Sequence, residues 1–390
     1  MASNSYNYNQ ISAIMNEVFK VATGQESASE FTGGDIVSVA QKALSVGYDN
    51  FYGALSQVLA KTIFSIRPYT QKFRGMMVDN LRFGQIVRKI KPVQKLMVND
   101  AALPLNDGES VDPFKISKHK YSQFNFIGQN GYEYDDTRPD WQLDNAVRSA
   151  EELGSFFSML TTDAMNTIEK YHEELSRFTI CNFIAGISAS RPNDVIHLLT
   201  EYNARTGKAL TDTTLYNPDN YPDFIRWAYS RIKSVSSMLT EFSINFHTNI
   251  TGSVFNQHTP EMYQRLYILA PEMYDITSRV LSTTFDNSKL SFGDFELVNF
   301  WQNIDSPYEI ALTPTYLDGA TGNLKTHGSQ VELPKVFAVL MDVEACGISV
   351  FNYRIKTQYD GKGEYTNTFW KFTDRYWNDF TENGVVFLLD

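Results

Sequence analysis

The chain is poor in the residues that most often carry covalent or metal chemistry. It has 390 residues but only two cysteines, Cys181 and Cys346, and six histidines. Neither cysteine sits in a Cys-x-x-Cys pair, so nothing marks a structural zinc site. The two thiols read as buried free cysteines, and their spacing leaves a bridge between them open. No His-x-x-x-His pair occurs: His172-Glu173-Glu174 lacks the second histidine of a zinc-hydrolase helix, and His172 reads as a packed or surface residue. Gly-x-Ser-x-Gly is missing, and with it the nucleophile elbow of an α/β-hydrolase. There is neither a phosphate-cradling loop ending in Lys-Ser/Thr nor a dinucleotide glycine fingerprint. No apolar run is long enough to cross a bilayer. Met1 to Gln10 is polar, without the basic start and apolar centre of a secretory leader, so the chain is expected to fold in a cytoplasm. Positive charge is also in deficit. Thirty-four Lys and Arg against 45 Asp and Glu leave a net charge of -11, which argues against tight phosphate binding by the whole surface. Catalytic, cofactor and metal residues are therefore assigned to none.

What is plentiful is apolar and aromatic area. Hydrophobic residues make up 43% and aromatics 14%, with 27 Phe and 22 Tyr; aromatic side chains favour both cores and interfaces. The longest periodic stretch runs from about Ser149 to Ile184. Leu153, Phe157, Leu160, Ala164, Ile168, Tyr171, Leu175 and Phe178 recur at steps of three and four, which predicts one long amphipathic helix. Ser149 is its expected cap, and Gly186 with Pro192 its expected end. A rod of this length suits a scaffold better than the wall of a binding cleft.

Residues up to about Gly34 read as a mobile arm, and two short helices follow, one capped by Asp35 and one starting near Asp49 or Asn50. Met76 to Gln142 has another character. Val78 to Lys91 reads as a strand carrying Arg82, Arg88, Lys89 and Lys91. Asp100, Asp107, Glu109 and Asp112 then surround Gly108, and Tyr121 to Ile127 returns as a second strand behind Lys115, Lys118 and Lys120. This is a long hairpin with basic shoulders and an acidic tip. Alone in water such a ribbon is marginal; either a neighbouring molecule covers it and opposite charges meet there, or the stretch is a solvated surface with scattered charges. Arg88, Lys89, Lys91, Asp107, Glu109 and Asp112 are the candidate contact residues.

Further on, Val195 to Tyr202 is a short apolar segment, and Asn203 to Tyr221 is polar and turn-rich. Pro222 should open a helix with Phe224, Ala228, Ile232, Val235 and Leu239 on one side. Phe242 to Phe246 looks strand-like. A helix is expected from Thr259-Pro260 to a stop at Pro271, a strand over Phe295 to Trp301, and a loop from Thr313 to Ser329. Lys335 to Met341 reads as a strand covered on both faces. Ile348 to Gln358 and Glu364 to Tyr376 flank Asp360-Gly361-Lys362-Gly363 as a hairpin, and Val385 to Leu389 can form a final strand. Acid pairs such as Asp135-Asp136, or Glu332 with Asp342, could serve a glycosidase, but 45 acidic residues supply such pairs by chance. Trp370, Phe372, Tyr376 and Trp377 fit a core or interface better than a stacking site.

The order of these parts resembles the major capsid proteins of tailed bacteriophages, whose shell fold is shared with encapsulins. Local text is similar to capsid proteins of small podoviruses: Thr62-Ile63-Phe64-Ser65-Ile66-Arg67-Pro68-Tyr69, Asp107-Gly108-Glu109-Ser110-Val111-Asp112-Pro113, Phe369-Trp370-Lys371-Phe372-Thr373-Asp374-Arg375 and Tyr376-Trp377-Asn378-Asp379. The resemblance implies an α+β capsid fold: an N-terminal arm (1–75), an extended loop (76–142), a peripheral domain with a spine helix (143–217), an axial domain (218–345) and return strands of the peripheral domain (346–390). It implies self-assembly through pentamers and hexamers into an icosahedral virion shell, in the host cytoplasm, around double-stranded DNA that is not read by sequence. A portal protein and, because only a short arm precedes the loop, a separate scaffolding protein are the implied partners. An encapsulin-like nanocompartment and an acid-pair glycosidase are the alternatives.

Overall fold

A computed structural model describes residues 72–77, 87–95, 97, 100, 104–114, 116–139, 150–279 and 294–390. The helices expected before residue 70, the Ser149 cap, the stretch 78–86 and the side chains of Leu153, Phe157 and Leu160 lie outside the described residues. The chain groups into two compact units. Gly128–Leu175 and Ile348–Arg375 belong to the first, together with the segment ending at Phe83; Gly84–Ile127, Ser176–Gly347 and Tyr376–Asp390 form the second.

In the first unit, β3 (Gln129–Pro139), β12 (Cys346–Asp360) and β13 (Tyr365–Asn378) make a three-stranded sheet in the order β12-β13-β3. The antiparallel β13–β3 pairing runs from Tyr365↔Pro139 to Arg375↔Gln129. The hairpin read around Asp360-Gly361 is present: Asp360 Oδ1 accepts from the backbone N–H groups of Lys362 and Gly363 at 2.8 and 3.0 Å. Alternate β13 residues Thr366, Thr368, Trp370, Phe372 and Asp374 are buried, as period-two strand geometry requires. Strand β3 falls inside the stretch read as extended loop; its Tyr-Glu-Tyr-Asp text alternates, but its charges masked the pattern. Tyr132 stacks on both its cross-strand partner Phe372 and Tyr171, at 5.2 and 5.1 Å between ring centroids.

Helix α1 (Ala150–Ser190) is continuous over 41 residues, about 60 Å at the usual rise. Ala164, Ile168 and Leu175 are buried as expected, but Tyr171 and Phe178 are 39% and 57% exposed. In the first unit Met165 and His172 are buried too, which shifts the buried stripe away from Tyr171. Gly186 does not end the helix. Two Phe380 ring carbons lie 2.5 and 2.6 Å from where a Cβ at Gly186 would stand, so the glycine serves close packing, and the helix stops before Arg191-Pro192.

The second unit is built on a five-stranded mixed sheet, β4-β14-β11-β5-β6: β4 (Val195–His197), β5 (Gln264–Leu269), β6 (Asp294–Val298), β11 (Val336–Asp342) and β14 (Gly384–Leu388). Central β11 is antiparallel to β14 and β5, while β4 and β6 pair parallel at the edges. Every residue of β11 is buried. Helices α2 (Leu198–Thr206), α4 (Tyr221–Leu239) and α5 (Ala270–Arg279) share one core with the sheet, into which Val385, Phe387 and Leu389 project. On the opposite face Gly384 approaches the Phe183 ring of α1. Pro222 sits in the first turn of α4, and Phe224, Ala228, Ile232, Val235 and Leu239 are all buried, as read. Leu215 in the short helix α3 (Asp212–Leu215) and Tyr221 join this core, so the polar stretch 203–221 is anchored by two apolar contacts.

Several local expectations fail. Phe242 to Phe246 is irregular, with Phe246 at φ 68°. The helix expected over 259–270 is a 3-10 turn (Glu261–Tyr263) followed by β5, and α5 begins where Pro271 was expected to stop a helix. Four contiguous apolar residues, Leu266 to Leu269, suit a strand buried on both faces, and Pro271 fits a first helical turn, where its missing N–H is not needed. The loop 313–329 contains a hairpin, β8 (Thr315–Leu317) with β9 (Leu324–Thr326), beside the pair β7 (Ile310–Leu312) and β10 (Val331–Leu333).

Candidate functional site

The feature most at odds with a self-sufficient globule is the antiparallel pair β1 (Val87–Pro92) and β2 (Tyr121–Phe126), in register from Val87↔Phe126 to Pro92↔Tyr121. Strand alternation divides it into two faces. The inner face carries Val87, Lys89 and Lys91 beside Ser122, Phe124 and Phe126. Phe124 meets Phe255 edge-on at 6.0 Å, and the Lys91 ammonium lies 5.9 Å from the same ring.

Both inner lysines find carboxylates within the chain. Lys89 Nζ is 3.1 Å from Asp379 Oδ2 and 2.7 Å from Glu344 Oε2, and it also donates to Glu382. Lys91 Nζ shares Glu382 and donates to Thr381 O at 3.0 Å and Gln257 Oε1 at 3.2 Å. Burial alone would lower the Lys89 pKa; Asp379, Glu382 and the hydrogen bonds to Glu344 and Glu382 outweigh it and hold the ammonium well above its ordinary value. Glu382 is pushed up by burial despite the two lysines. Asp379 and Glu382 lie in the connection between β13 and β14 and Glu344 in that between β11 and β12, and no spacing in the sequence links them to Lys89.

The outer face carries Arg88, Ile90, Pro92, Tyr121, Gln123 and Asn125. Ile90 is 58% exposed and Tyr121 66%. Toward the tip Phe114 and Ile116 stand 86% and 81% exposed. Asp107, Glu109 and Asp112 are exposed, and two of them also shape the tip: Asn106 N–H donates to Glu109 Oε2 at 3.0 Å and Phe114 N–H to Asp112 Oδ1 at 2.9 Å. Gly108, at φ 90°, occupies backbone space that favours glycine. Of the six candidate contact residues, Lys89 and Lys91 thus point inward to partners of their own chain, while Arg88, Asp107, Glu109 and Asp112 present charge outward.

Several groups that could carry chemistry have partners within the fold. Cys181 and Cys346 are free and buried. The Cys181 thiol is pushed up to about 12 by burial. His172 Nε2 lies 3.1 Å from Asp374 Oδ2 in the first unit. His247 is bonded on both ring nitrogens, to Asn383 Oδ1 at 2.9 Å and Phe255 O at 3.0 Å, and burial lowers its pKa. Asp136 is paired with Arg138. Asp342 accepts from Thr259 Oγ1 and the Glu344 N–H, whereas Glu332 is exposed on β10. Among the described residues no group of three His, Cys, Asp or Glu could hold a metal ion, and no helix is long and apolar enough to cross a membrane.

Solved structures share this architecture. A chain from the capsid structure of Staphylococcus phage Andhra matches at a TM-score of 0.56 and 8% identity, covering 82% of this chain and 84% of that one. A chain from the structure of the head fiber and inner core protein of native bacteriophage P68 matches at 0.53 and 8%, covering 82% and 85%. Among curated proteins, none matches by sequence. The fold is thus shared with chains of these phage structures. The family model for the Phi29-like phage major capsid protein matches residues 15–388, and the chain belongs to that family.

Proposed function

We propose that this capsid protein assembles with copies of itself, as pentamers and hexamers, into an icosahedral shell around double-stranded DNA of a podovirus-like tailed phage. The family match over residues 15–388 carries the reading. The hairpin supplies the contact: its outer face and tip, with Ile90, Tyr121, Phe114 and Ile116, would be covered by a sister subunit, which relieves apolar exposure that a lone ribbon cannot sustain. Arg88 on the shoulder and Asp107, Glu109 and Asp112 at the tip give the ribbon two ends of opposite sign, suited to complementary charge on neighbours. Closed symmetry then repeats each modest contact many times.

The role is structural rather than enzymatic, and the net charge of -11 suits a wall that does not bind the packaged genome tightly. A portal protein and a separate scaffolding protein are the proposed partners, and the host cytoplasm the place of assembly. Residues 1–75 are proposed as the N-terminal arm, 76–142 as the extended loop, 143–217 and 346–390 as the peripheral domain, and 218–345 as the axial domain. Co-expression with candidate scaffolds from its own genome, followed by electron microscopy, tests the reading. Closed shells are expected; monomers persisting under every condition would overturn it.

A further inference from the structure

A cleft of about 360 Å³ opens at the Leu389 end of β14, within the second unit. Tyr216, Tyr308, Pro307 and Pro334 wall it. The fold sets these walls in place. Val336 N–H donates to Tyr308 O and Leu389 N–H to Lys335 O, both at 2.9 Å, and Tyr308 Oη donates to Glu272 Oε1 at 3.0 Å. Tyr216 packs on Tyr221 at 5.2 Å between ring centroids, yet it is 51% exposed, so aromatic surface stays open where it lines the cleft. Three carboxylates, those of Asp212, Asp305 and Glu309, share the cleft with one ammonium, that of Lys335. Asp212 is paired with Lys335. Asp305 and Glu309 are exposed, and among the described residues no cation pairs with either. A guanidinium suits such a place: it is planar and weakly hydrated, and it can stack on an aromatic face while its N–H groups donate to carboxylates.

We infer that this cleft receives Arg88 from the hairpin of a neighbouring copy of the chain. The inference rests on the proposed shell and names the surface that covers the basic shoulder. Arg88 is exposed on the outer face of β1, and among the described residues it has no carboxylate partner. The cleft of its own chain is out of reach. Lys89, the next residue, is held by Asp379 and Glu382, which precede β14 at its Gly384 end, whereas the cleft lies at Leu389, beyond the other end. The five residues of β14 between them span roughly 15 Å, and strand alternation turns Arg88 away from the side on which Lys89 is anchored. The contact therefore forms between copies. It joins two different surfaces, so it is heterologous, the kind of contact that closes into a ring when the rotation from one copy to the next allows.

Charge exchange tests the contact, with the full-length chain assembled by co-expression and closed shells counted by sedimentation and electron microscopy. Asp305→Lys combined with Glu309→Lys should lower the yield of shells by at least about tenfold, because like charges then face each other across the contact. Arg88→Glu alone should do the same. Joining all three changes in one chain should recover most of the native yield, since the opposed charges are exchanged rather than lost. Native yield from the doubly substituted cleft, or a triple variant no better than that double variant, would overturn the contact and leave the shell reading standing. Failure of the native chain to form shells would overturn the shell reading, and this contact with it. If the triple variant does not fold, Arg88→Cys chains mixed with Glu309→Cys chains decide the matter. Cys181 and Cys346 are buried and do not compete for a short bismaleimide, which should join unlike chains into pairs; absence of such pairs would overturn the inference.

Discussion

Lys89 Nζ lies 3.1 Å from Asp379 Oδ2, joining the hairpin to the connection between β13 and β14. Asp379 is 2% exposed, so the ammonium is its compensation for lost water. Lys89→Met should therefore destabilise the folded chain by about 3 kcal/mol, because removing one partner leaves the buried Asp379 carboxylate without its cation. Arg88→Glu, one position along and on the outer face, should change stability by no more than about 0.5 kcal/mol yet impair shell assembly. Urea unfolding of the unassembled chain, run beside electron microscopy of co-expressed material, separates the two. Equal stability losses would remove the distinction between the faces.

The apolar outer face gives a second contrast. Ile90→Asp with Phe114→Asp should leave monomer unfolding within about 0.5 kcal/mol of native, since neither side chain is buried in the isolated chain. Assembly should drop sharply, because the covered surface would then contain unpaired charge. Sedimentation velocity reads the ratio of shells to small species; native yields of shells would show that this face is not covered.

Gly186 is a point of close packing on α1. Alanine there would improve helix propensity by about 1 kcal/mol. Its Cβ would stand 2.5 Å from Phe380 Cζ, and Phe380 is held by a stacked contact with Phe183 at 5.2 Å. Overpacking of about 1–3 kcal/mol exceeds the gain, so Gly186→Ala should lower Tm by about 2–4 °C. A rise in Tm would show that the Phe380 ring moves aside freely.

His247 provides a pH test. Burial lowers its pKa from an ordinary 6.5, so the unfolded chain binds a proton before the folded one does. The stability tied to the neutral ring is complete above about 6.5 and falls with pH below it, by up to about 1.4 kcal/mol per pH unit. His247→Gln should flatten the acid limb of a Tm-versus-pH curve. An unchanged limb would assign acid sensitivity to other groups.

The elements most legible in the sequence were those with a single dominant pattern. The three-four spacing between Ala164 and Leu175, the Pro222 helix start and the apolar run of β11 each depend on local periodicity, and each is present. Errors fell where a pattern had two readings. Leu266 to Leu269 suits a buried strand as well as a helix, and Gly186 suits close packing as well as termination. The hairpin was legible as two strand-like stretches with basic shoulders and an acidic tip, but the direction in which Lys89 and Lys91 point was not. That depends on Glu344, Asp379 and Glu382, which only the folded chain brings beside them.

The position of β14 between β4 and β11 carries a consequence for biosynthesis. Val195 to His197 leave the ribosome early, yet among the described residues their one sheet neighbour is Val386 to Leu388. At bacterial elongation rates the interval is on the order of ten seconds or more. During it the nascent polypeptide carries an unpaired strand and an open apolar layer above α2 and α4. Translation interrupted before Gly384 would therefore yield fragments that chaperones and proteases recognise, which keeps incomplete subunits out of the pool from which particles grow.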